Sequence, residues 1–524
     1  AASDVYKRQI NTDRSVVLST PAAPVSTALR GTSGPARHAG RAARDAGVRR
    51  PSARLGLLAS LLVLAGCGSL APDPQAPVPG EFAHARPASA TGQSADGQKA
   101  GPGNTAVTSA AAAADISWKQ FFVSPALQQL IQTALDNNRD LRLAALNVER
   151  TQAAYRIQRA DRLPSVNGSF QLQRQPSVLT GEQTSTLSLG LGVTQYELDF
   201  FGRVKNLTDA ALASYMATEE AQRTAQINLV AGVANAYLGL QSLDEQLALT
   251  RATLKTREES QKLTHLQYRN GAASDLDVKQ ADSLVYTART TLAQLQRQRD
   301  TAYDALVLLL GQQPPAELLS VDTHENHVEL EEVPAGLPSD LLTRRPDIRQ
   351  AELQLRSAEA NIGAARAAFF PRITLTATAG MGSSQLDDLF NHGKFIWTIN
   401  PAAVLPIFDY GRNRANLDVA RVDQKIAITN YEKAIQTAFS EVSDALANRR
   451  GLIEQLDAQK SLVKTEGERL ELANLRYRSG VSSYFDVLDA QRSHFTAQQS
   501  LISARAEQRQ NLVELYKVLG GGWK

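Results

Sequence analysis

Few residues of this 524-residue chain are spaced for chemistry. His324-Glu-Asn-His327 carries two imidazoles, but it lies in a Pro-rich linker with no further ligand nearby and reads as a solvated loop. Gly190-Leu-Gly192 falls inside an alternating strand and opens no helix, so it is no phosphate cradle. Ser, His and Asp are present without a nucleophile motif to frame them. The chain therefore reads as a non-enzyme with no cofactor or metal site. What remains are carboxylates set at two turns. Tyr477-Arg-Ser-Gly480-Val-Ser-Ser483-Tyr-Phe-Asp486-Val-Leu-Asp489 reads as a helix end, a tight turn and a helix start. Gly480 suits the left-handed position that closes a helix. Ser483 and Asp486, three residues apart, fit a capping box that satisfies orphan backbone N–H groups. Asp489 lies too far along for capping to explain it.

The same device occurs earlier as Tyr268-Arg-Asn-Gly271-Ala-Ala-Ser274-Asp-Leu-Asp277-Val-Lys-Gln280, with Tyr, Gly, Ser and Asp recurring at an offset of 209 residues. Gln280 stands where the second copy has Asp489. Other segments repeat too. Asp140–Pro164 aligns with Asp347–Pro371 at an offset of 207, and Phe201-Gly-Arg and Leu309-Leu-Gly match Tyr410-Gly-Arg and Val518-Leu-Gly at 209. An internal twofold repeat follows. Each half runs helix, two strands, long helix, tip, helix.

Proline is absent from 177 to 313 and after Pro406, so both windows can carry uninterrupted helices over about 203–269 and 412–478. At ~1.5 Å per residue each is about 100 Å long. Leu240, Leu243, Leu247 and Leu254, with Leu452, Leu456, Val463 and Leu470 in the second half, form heptad-like stripes that predict coiled-coil contacts. Shorter helices at about 140–162, 275–310, 347–369 and 484–518 should stack end to end in pairs beside the long ones.

Between the helices, 165–173, 184–196, 373–382 and 395–405 read as strands, the last two joined by a connection over 383–393. Ile373-Thr-Leu-Thr-Ala-Thr-Ala379 alternates apolar and small polar residues, as a two-faced strand does. Alternating segments of about ten residues are the weak signature of an outer-membrane barrel. Tyr196, Phe395 and Trp397 could serve as interface aromatics. A soluble sandwich fits the alternation equally. Four strands cannot close a barrel alone, and a bilayer tolerates no exposed edge. A dimer would give eight strands and a trimer twelve, and six long helical columns favour three chains.

The formal charge is +3, but residues 1–66 hold ten Lys/Arg against three Asp/Glu, leaving 46 against 50 afterwards. The near-neutral remainder offers no basic footprint for nucleic acid. The single cysteine, Cys67, excludes an intrachain disulfide. Arg49, Arg50 and Arg54, an apolar run over 55–64 and Ala65-Gly66 precede it, as in a secretory signal peptide too short to span a bilayer permanently. Leu64-Ala65-Gly66-Cys67 resembles a bacterial lipobox, which would make Cys67 an acylated first residue. The expected organisation is a non-native or untranslated leader at 1–47, a lipoprotein signal peptide at 48–66, and the acylated Cys with a Pro/Ala/Gly-rich flexible tether at 67–115. A first repeat at 116–316, a linker at 317–336 and a second repeat at 337–524 complete it.

Arg344-Arg-Pro-Asp347-Ile-Arg-Gln-Ala-Glu352, Phe370-Pro-Arg-Ile-Thr-Leu-Thr-Ala377, Pro406-Ile-Phe-Asp-Tyr-Gly-Arg412 and the 477–492 tip together resemble the TolC-like outer-membrane efflux proteins. The acylated OprM/NodT branch, which serves resistance–nodulation–division (RND) pumps, is the nearer likeness. It covers about residues 116–523. The resemblance implies an α+β membrane protein: a homotrimer whose 12-stranded barrel, four strands per chain, spans the outer membrane and continues as a helical coiled-coil tunnel through the periplasm. The tunnel tip would dock on a periplasmic adaptor (membrane fusion) protein joined to an inner-membrane RND pump. It further implies that Tyr477 is a gating aromatic and that Asp486 and Asp489 line a constriction, with Asp277 as the acid of the first tip. Gly271, Ser274, Gly480 and Ser483 would form the tip turns and adaptor-docking surface. Six clustered carboxylates would exclude anions and let multivalent cations plug the opening. Where some relatives place a basic residue after the turn glycine, this chain has Ser482. The duct would carry drugs or other small molecules. With only Met216 and Met381, a methionine-lined copper exporter is disfavoured. An exit channel for type I protein secretion and a non-pore periplasmic coiled-coil scaffold remain as alternatives.

Overall fold

Two helices of 67 residues dominate the computed structural model, which describes residues 70–72, 115–176, 181, 183–319 and 344–524. Cys67, the leader, most of the tether and linker, and His324-Glu-Asn-His327 lie outside the described residues. Those described belong to one unit, Leu62–Lys524. It begins with α1 (Trp118–Phe121), α2 (Pro125–Asn137) and α3 (Arg139–Ala160), followed by β1 (Val166–Pro176) and β2 (Gln183–Glu197). The first long helix, α4 (Arg203–Arg269), turns back into α5 (Asp275–Leu310). Then come α6 (Pro346–Ala367), β3 (Arg372–Ser383), α7 (Leu386–Asn391) and β4 (Lys394–Val404). The second long helix, α8 (Arg412–Arg478), turns into α9 (Tyr484–Val518). Both long helices end where the sequence predicts, and α7 occupies a stretch expected to be a plain connection. Leu389, 1% exposed, draws that stretch onto the sheet.

Each long helix starts at a glycine in the left-handed region, Gly202 at φ 73° and Gly411 at φ 82°. A side chain there would cost roughly 1 kcal/mol. The chain can thus leave a strand and enter a helix within a few residues.

The four strands form one antiparallel sheet in the order β1-β2-β3-β4, with β1 and β4 as edges. Its register sorts the side chains by polarity. Phe170 pairs with Leu189, Leu189 with Met381, and Met381 with Phe395. Leu191, Ala379 and Trp397 form the next row, so one face is continuously apolar. The opposite face carries Ser188, Thr376, Thr378, Thr398 and Asn400, and the Thr378 and Thr398 hydroxyls are hydrogen-bonded at 2.6 Å. The apolar face is bare: Phe170, Leu191, Phe395 and Trp397 are each 59–67% exposed. A bulge between Val193 and Tyr196 ends the alternation, and the Tyr196 hydroxyl donates to Arg162 O at 3.1 Å.

The shorter helices stack end to end in pairs as expected: Asn138 at the N-cap of α3 donates to Leu309 O at the end of α5, and Arg345 at the N-cap of α6 donates to Val518 O at the end of α9, both at 3.0 Å. α3 and α5 lie along α4, and α9 along α8, but α6 packs against both long helices. The reason is side-chain size. Ala360, Gly363, Ala364 and Ala367 let α6 approach Ala210 and Ala213 of α4, and Ser357 Oγ donates to Ala210 O at 3.0 Å. The buried carboxylate of Glu220 on α4 receives Arg349 of α6 at 3.3 Å.

The main core lies where α1, α2, the middle of α4 and the ends of α5 and α9 meet. Phe121 stacks on Tyr516 at 4.0 Å, with Leu130, Leu238, Leu306 and Val513 around them. Each such side chain contributes roughly 1.5–3 kcal/mol by burial. Tyr516 donates its hydroxyl to Ile116 O at 2.7 Å, and burial holds its pKa above the usual phenol value. Arg345, at the N-cap of α6, ties this core together. Its guanidinium reaches Asp347 at 2.6 Å, Glu441 of α8 at 2.7 Å and Val518 O of α9 at 3.0 Å. Near the sheet, Arg366 of α6 donates to Leu70 O at 2.8 Å.

Candidate functional site

The turn joining α4 to α5 is closed by backbone bonds, with the Asn270 side chain adding a bond to Leu266 O at 2.7 Å. Gly271, at φ 74°, donates to Tyr268 O at 3.0 Å, and Ala272 donates to Gln267 O at 2.8 Å. The α8–α9 turn repeats this, with Gly480 at φ 71° donating to Tyr477 O and Val481 to Arg476 O, both at 2.9 Å. This pair of bonds satisfies the last carbonyls of each helix and reverses the chain without a long loop.

The two tips then diverge. At the first, Asp277 Oδ2 accepts from Ser274 N at 2.9 Å and from Ser274 Oγ at 2.7 Å, and Ser274 Oγ accepts from Asp277 N at 3.2 Å. That is the expected capping box, and it occupies the Asp277 carboxylate. At the second, the box between Ser483 and Asp486 does not form. Ser483 makes no side-chain cap bond, and Asp486 N donates instead to Ser483 O at 3.3 Å. The exposed Asp486 carboxylate has no side-chain partner among the described residues.

Asp489 is engaged. Its Oδ2 accepts from Arg469 Nη2 of α8 at 2.5 Å and its Oδ1 from Arg492 Nη2 at 2.6 Å. Arg469 also meets Glu466 at 3.1 Å, and its bonds to Asp489 and then Glu466 push its pKa further up. Sequence reasoning missed Arg469 and Arg492. Arg492 sits three residues from Asp489, a readable spacing, whereas Arg469 lies 20 residues back on the opposing helix. Tyr477 and Tyr484 pack with ring centroids 5.2 Å apart across the turn. The Tyr484 hydroxyl is hydrogen-bonded to Ser260 of α4, so the second tip is fastened to the first hairpin.

Inside the first hairpin, Asp282 Oδ1 accepts from Gln261 Nε2 at 2.7 Å and meets His265 Nε2 at 2.9 Å. The Gln261 bond and then the His265 bond hold its carboxyl below the usual range. Gln280 lines a cleft of about 290 Å³ together with Lys279, Leu488, Asp489 and Arg492. The structure therefore brings Gln280, not Asp277, beside Asp489. No group of three or more metal-type side chains occurs among the described residues, and no described helix is long and apolar enough to cross a membrane.

The family described as "Outer membrane efflux protein" matches over residues 130–312 and again over 337–521, about one match per long helix. This chain belongs to that family. It is 49% identical over 481 residues to the probable efflux pump outer membrane protein TtgC of Pseudomonas putida, covering 90% of this chain and 95% of the relative. It is 43% identical over 482 residues to outer membrane protein OprJ of Pseudomonas aeruginosa, covering 91% and 97%. Among solved structures it resembles the open state of the MtrE outer membrane channel of Neisseria gonorrhoeae, with TM-score 0.73, 40% identity and coverage of 79% and 93%. It also resembles CusC, with TM-score 0.73, 38% identity and coverage of 87% and 100%.

Proposed function

We propose that the protein is a passive outer-membrane exit duct, the channel component of a tripartite RND-type efflux system for drugs or other small molecules. The observation that carries this reading is the sheet. An isolated soluble domain does not leave a continuous apolar face of Phe170, Leu189, Leu191, Phe395 and Trp397 bare to water. The opposite face is polar, and β1 and β4 are edge strands, each paired on one side only among the described residues. Lipid on the apolar face, water on the polar face and identical chains on the edges satisfy all three conditions at once. Three chains give twelve strands, and six helices about 100 Å long then continue the tube into the periplasm. The relatives named as efflux pump outer membrane proteins support the same reading.

Cys67 would anchor each chain by acyl groups at the same end. Leu70 sits against Arg366, shortly before β3, and the three residue steps from Cys67 to Leu70 span at most about 10 Å. That distance keeps the anchor beside the sheet. The opposite end is the gate and the docking surface for a periplasmic adaptor. There Asp486 supplies the unengaged carboxylate ring and Tyr477 packs the turn. The Arg469–Asp489–Arg492 cluster holds the second hairpin shut on itself, and Asp277 stabilises the first tip as a cap. Gly271, Ser274, Gly480 and Ser483 shape the surface the adaptor meets. Energy would come from the pump.

Conductance in planar bilayers tests this. Purified protein should open cation-preferring channels blocked by trivalent cations added from the tip side. Protein that binds lipid but passes no current would refute the duct.

A further inference from the structure

About 20 Å from the turn glycines, counted along the helix, α4 and the α8–α9 hairpin enclose a cleft of about 720 Å³. On its wall stands Arg257, a cation only 4% exposed. Its Nη1 donates to Leu284 O at 3.1 Å, and its guanidinium lies 5.1 Å from the Phe495 ring. Its Nε is buried and has no partner. No carboxylate among the described residues lies within ion-pair distance, and burial pulls the guanidinium's pKa down. Arg345 shows how this fold treats a buried guanidinium otherwise, with two carboxylates and a carbonyl. Buried charges are ordinarily paired, because the desolvation cost of an isolated one is several kcal/mol.

Two further polar atoms lining the cleft are buried without partners, His494 Nδ1 and Gln491 Oε1. The Gln491 amide can turn to present its N–H₂, and the His494 ring can carry its proton on Nδ1. Arg478 stands exposed on the lining and makes no ion pair among the described residues. Glu471, also exposed, is the one carboxylate on the lining. Positive charge thus exceeds negative, and the donors come from both hairpins.

We propose that this cleft is a binding site for a small oxyanion, a phosphate or carboxylate group held by Arg257 Nε with His494, Gln491 and Arg478. The anion replaces the missing counter-charge of Arg257. Because α4 carries Arg257 and the α8–α9 hairpin carries the other three, bound anion cross-links the two hairpins above the tips. Charge-assisted bonds to a guanidinium are the strong kind, and the planar group suits oxyanions. The inference does not depend on whether the sheet forms a pore.

The test is isothermal titration of the full chain in detergent with inorganic phosphate, with citrate, and with chloride at matched ionic strength. Saturable binding of phosphate or citrate at one site per chain is expected, and which of the two binds tighter separates the two sources. Arg257→Met should weaken binding by about tenfold or more, the loss of a charged hydrogen bond. Arg478→Gln, at an exposed position, should weaken it about threefold by removing one unpaired exposed charge. Heats no different from matched chloride would overturn the proposal. So would Arg257→Met binding as well as the parent. Should Arg257→Met fail to assemble, the parent and Arg478→Gln titrations decide the matter by themselves.

Discussion

Two neighbouring residues on β3 should respond in opposite ways to one substitution. Ala379 lies on the apolar face between Leu191 and Trp397, which are 62% and 64% exposed. Thr378 lies on the polar face between Gly192 and Thr398. Ala379→Arg would place a guanidinium against lipid, at a cost of about 2–4 kcal/mol near the middle of the bilayer. Multiplied over three chains the cost reaches about 6–12 kcal/mol, comparable to the whole stability of a typical domain. Thr378→Arg loses the 2.6 Å bond to Thr398, worth about 1 kcal/mol, and under the proposed arrangement its charge would face water. The assay is the fraction of chain recovered in outer membranes as a heat-modifiable oligomer, together with the urea midpoint in phospholipid. Ala379→Arg should abolish the oligomer or lower the midpoint sharply, and Thr378→Arg should leave both near the parent. Equal effects at the two positions, or a tolerated Ala379→Arg, would refute the assignment of lipid and water to the two faces.

Other perturbations separate the roles at the tips and in the core. Asp486→Asn should abolish block by trivalent cations in planar bilayers. Asp489→Asn should instead free Arg469 from its 2.5 Å contact and raise the resting conductance. Arg345→Met should destabilise the chain by about 2 kcal/mol, less than a fully buried pair because Asp347 and Glu441 are 34% and 40% exposed and can hydrate. Calorimetric melting would read that loss. The lowered Asp282 pKa means its contribution is present above the unfolded carboxylate value and lost as pH falls through the folded one. Amide protection of the first hairpin, compared with Asp282→Asn, should therefore differ above about pH 4 and converge below it.

Much of this architecture is legible because it rests on backbone constraints. The absence of proline over 177–313 and after Pro406, with Gly202 and Gly411 at the entries, fixes both long helices to the residue. Alternation from Ile373 to Ala379 gives the parity of the sheet, and Gly271 and Gly480 mark the turns. Contacts between elements are less legible. Ser483 and Asp486 have capping-box spacing, yet the Ser483 side chain makes no cap bond, because spacing specifies an opportunity and not a rotamer. Arg469 reaches Asp489 only because α8 and α9 pack at a particular azimuth. The seating of α6 on both long helices depends on small residues spread over two segments about 150 residues apart. No local pattern reports that.

The central claim is that sheets of identical chains close edge to edge around a water-filled lumen. Electron microscopy of the purified protein in lipid nanodiscs, viewed down the bilayer normal, addresses it directly. The account predicts a threefold ring with an open centre, continuing into a tube about 100 Å long. Single chains lying beside the bilayer, or a solid bundle with no central opening, would contradict it.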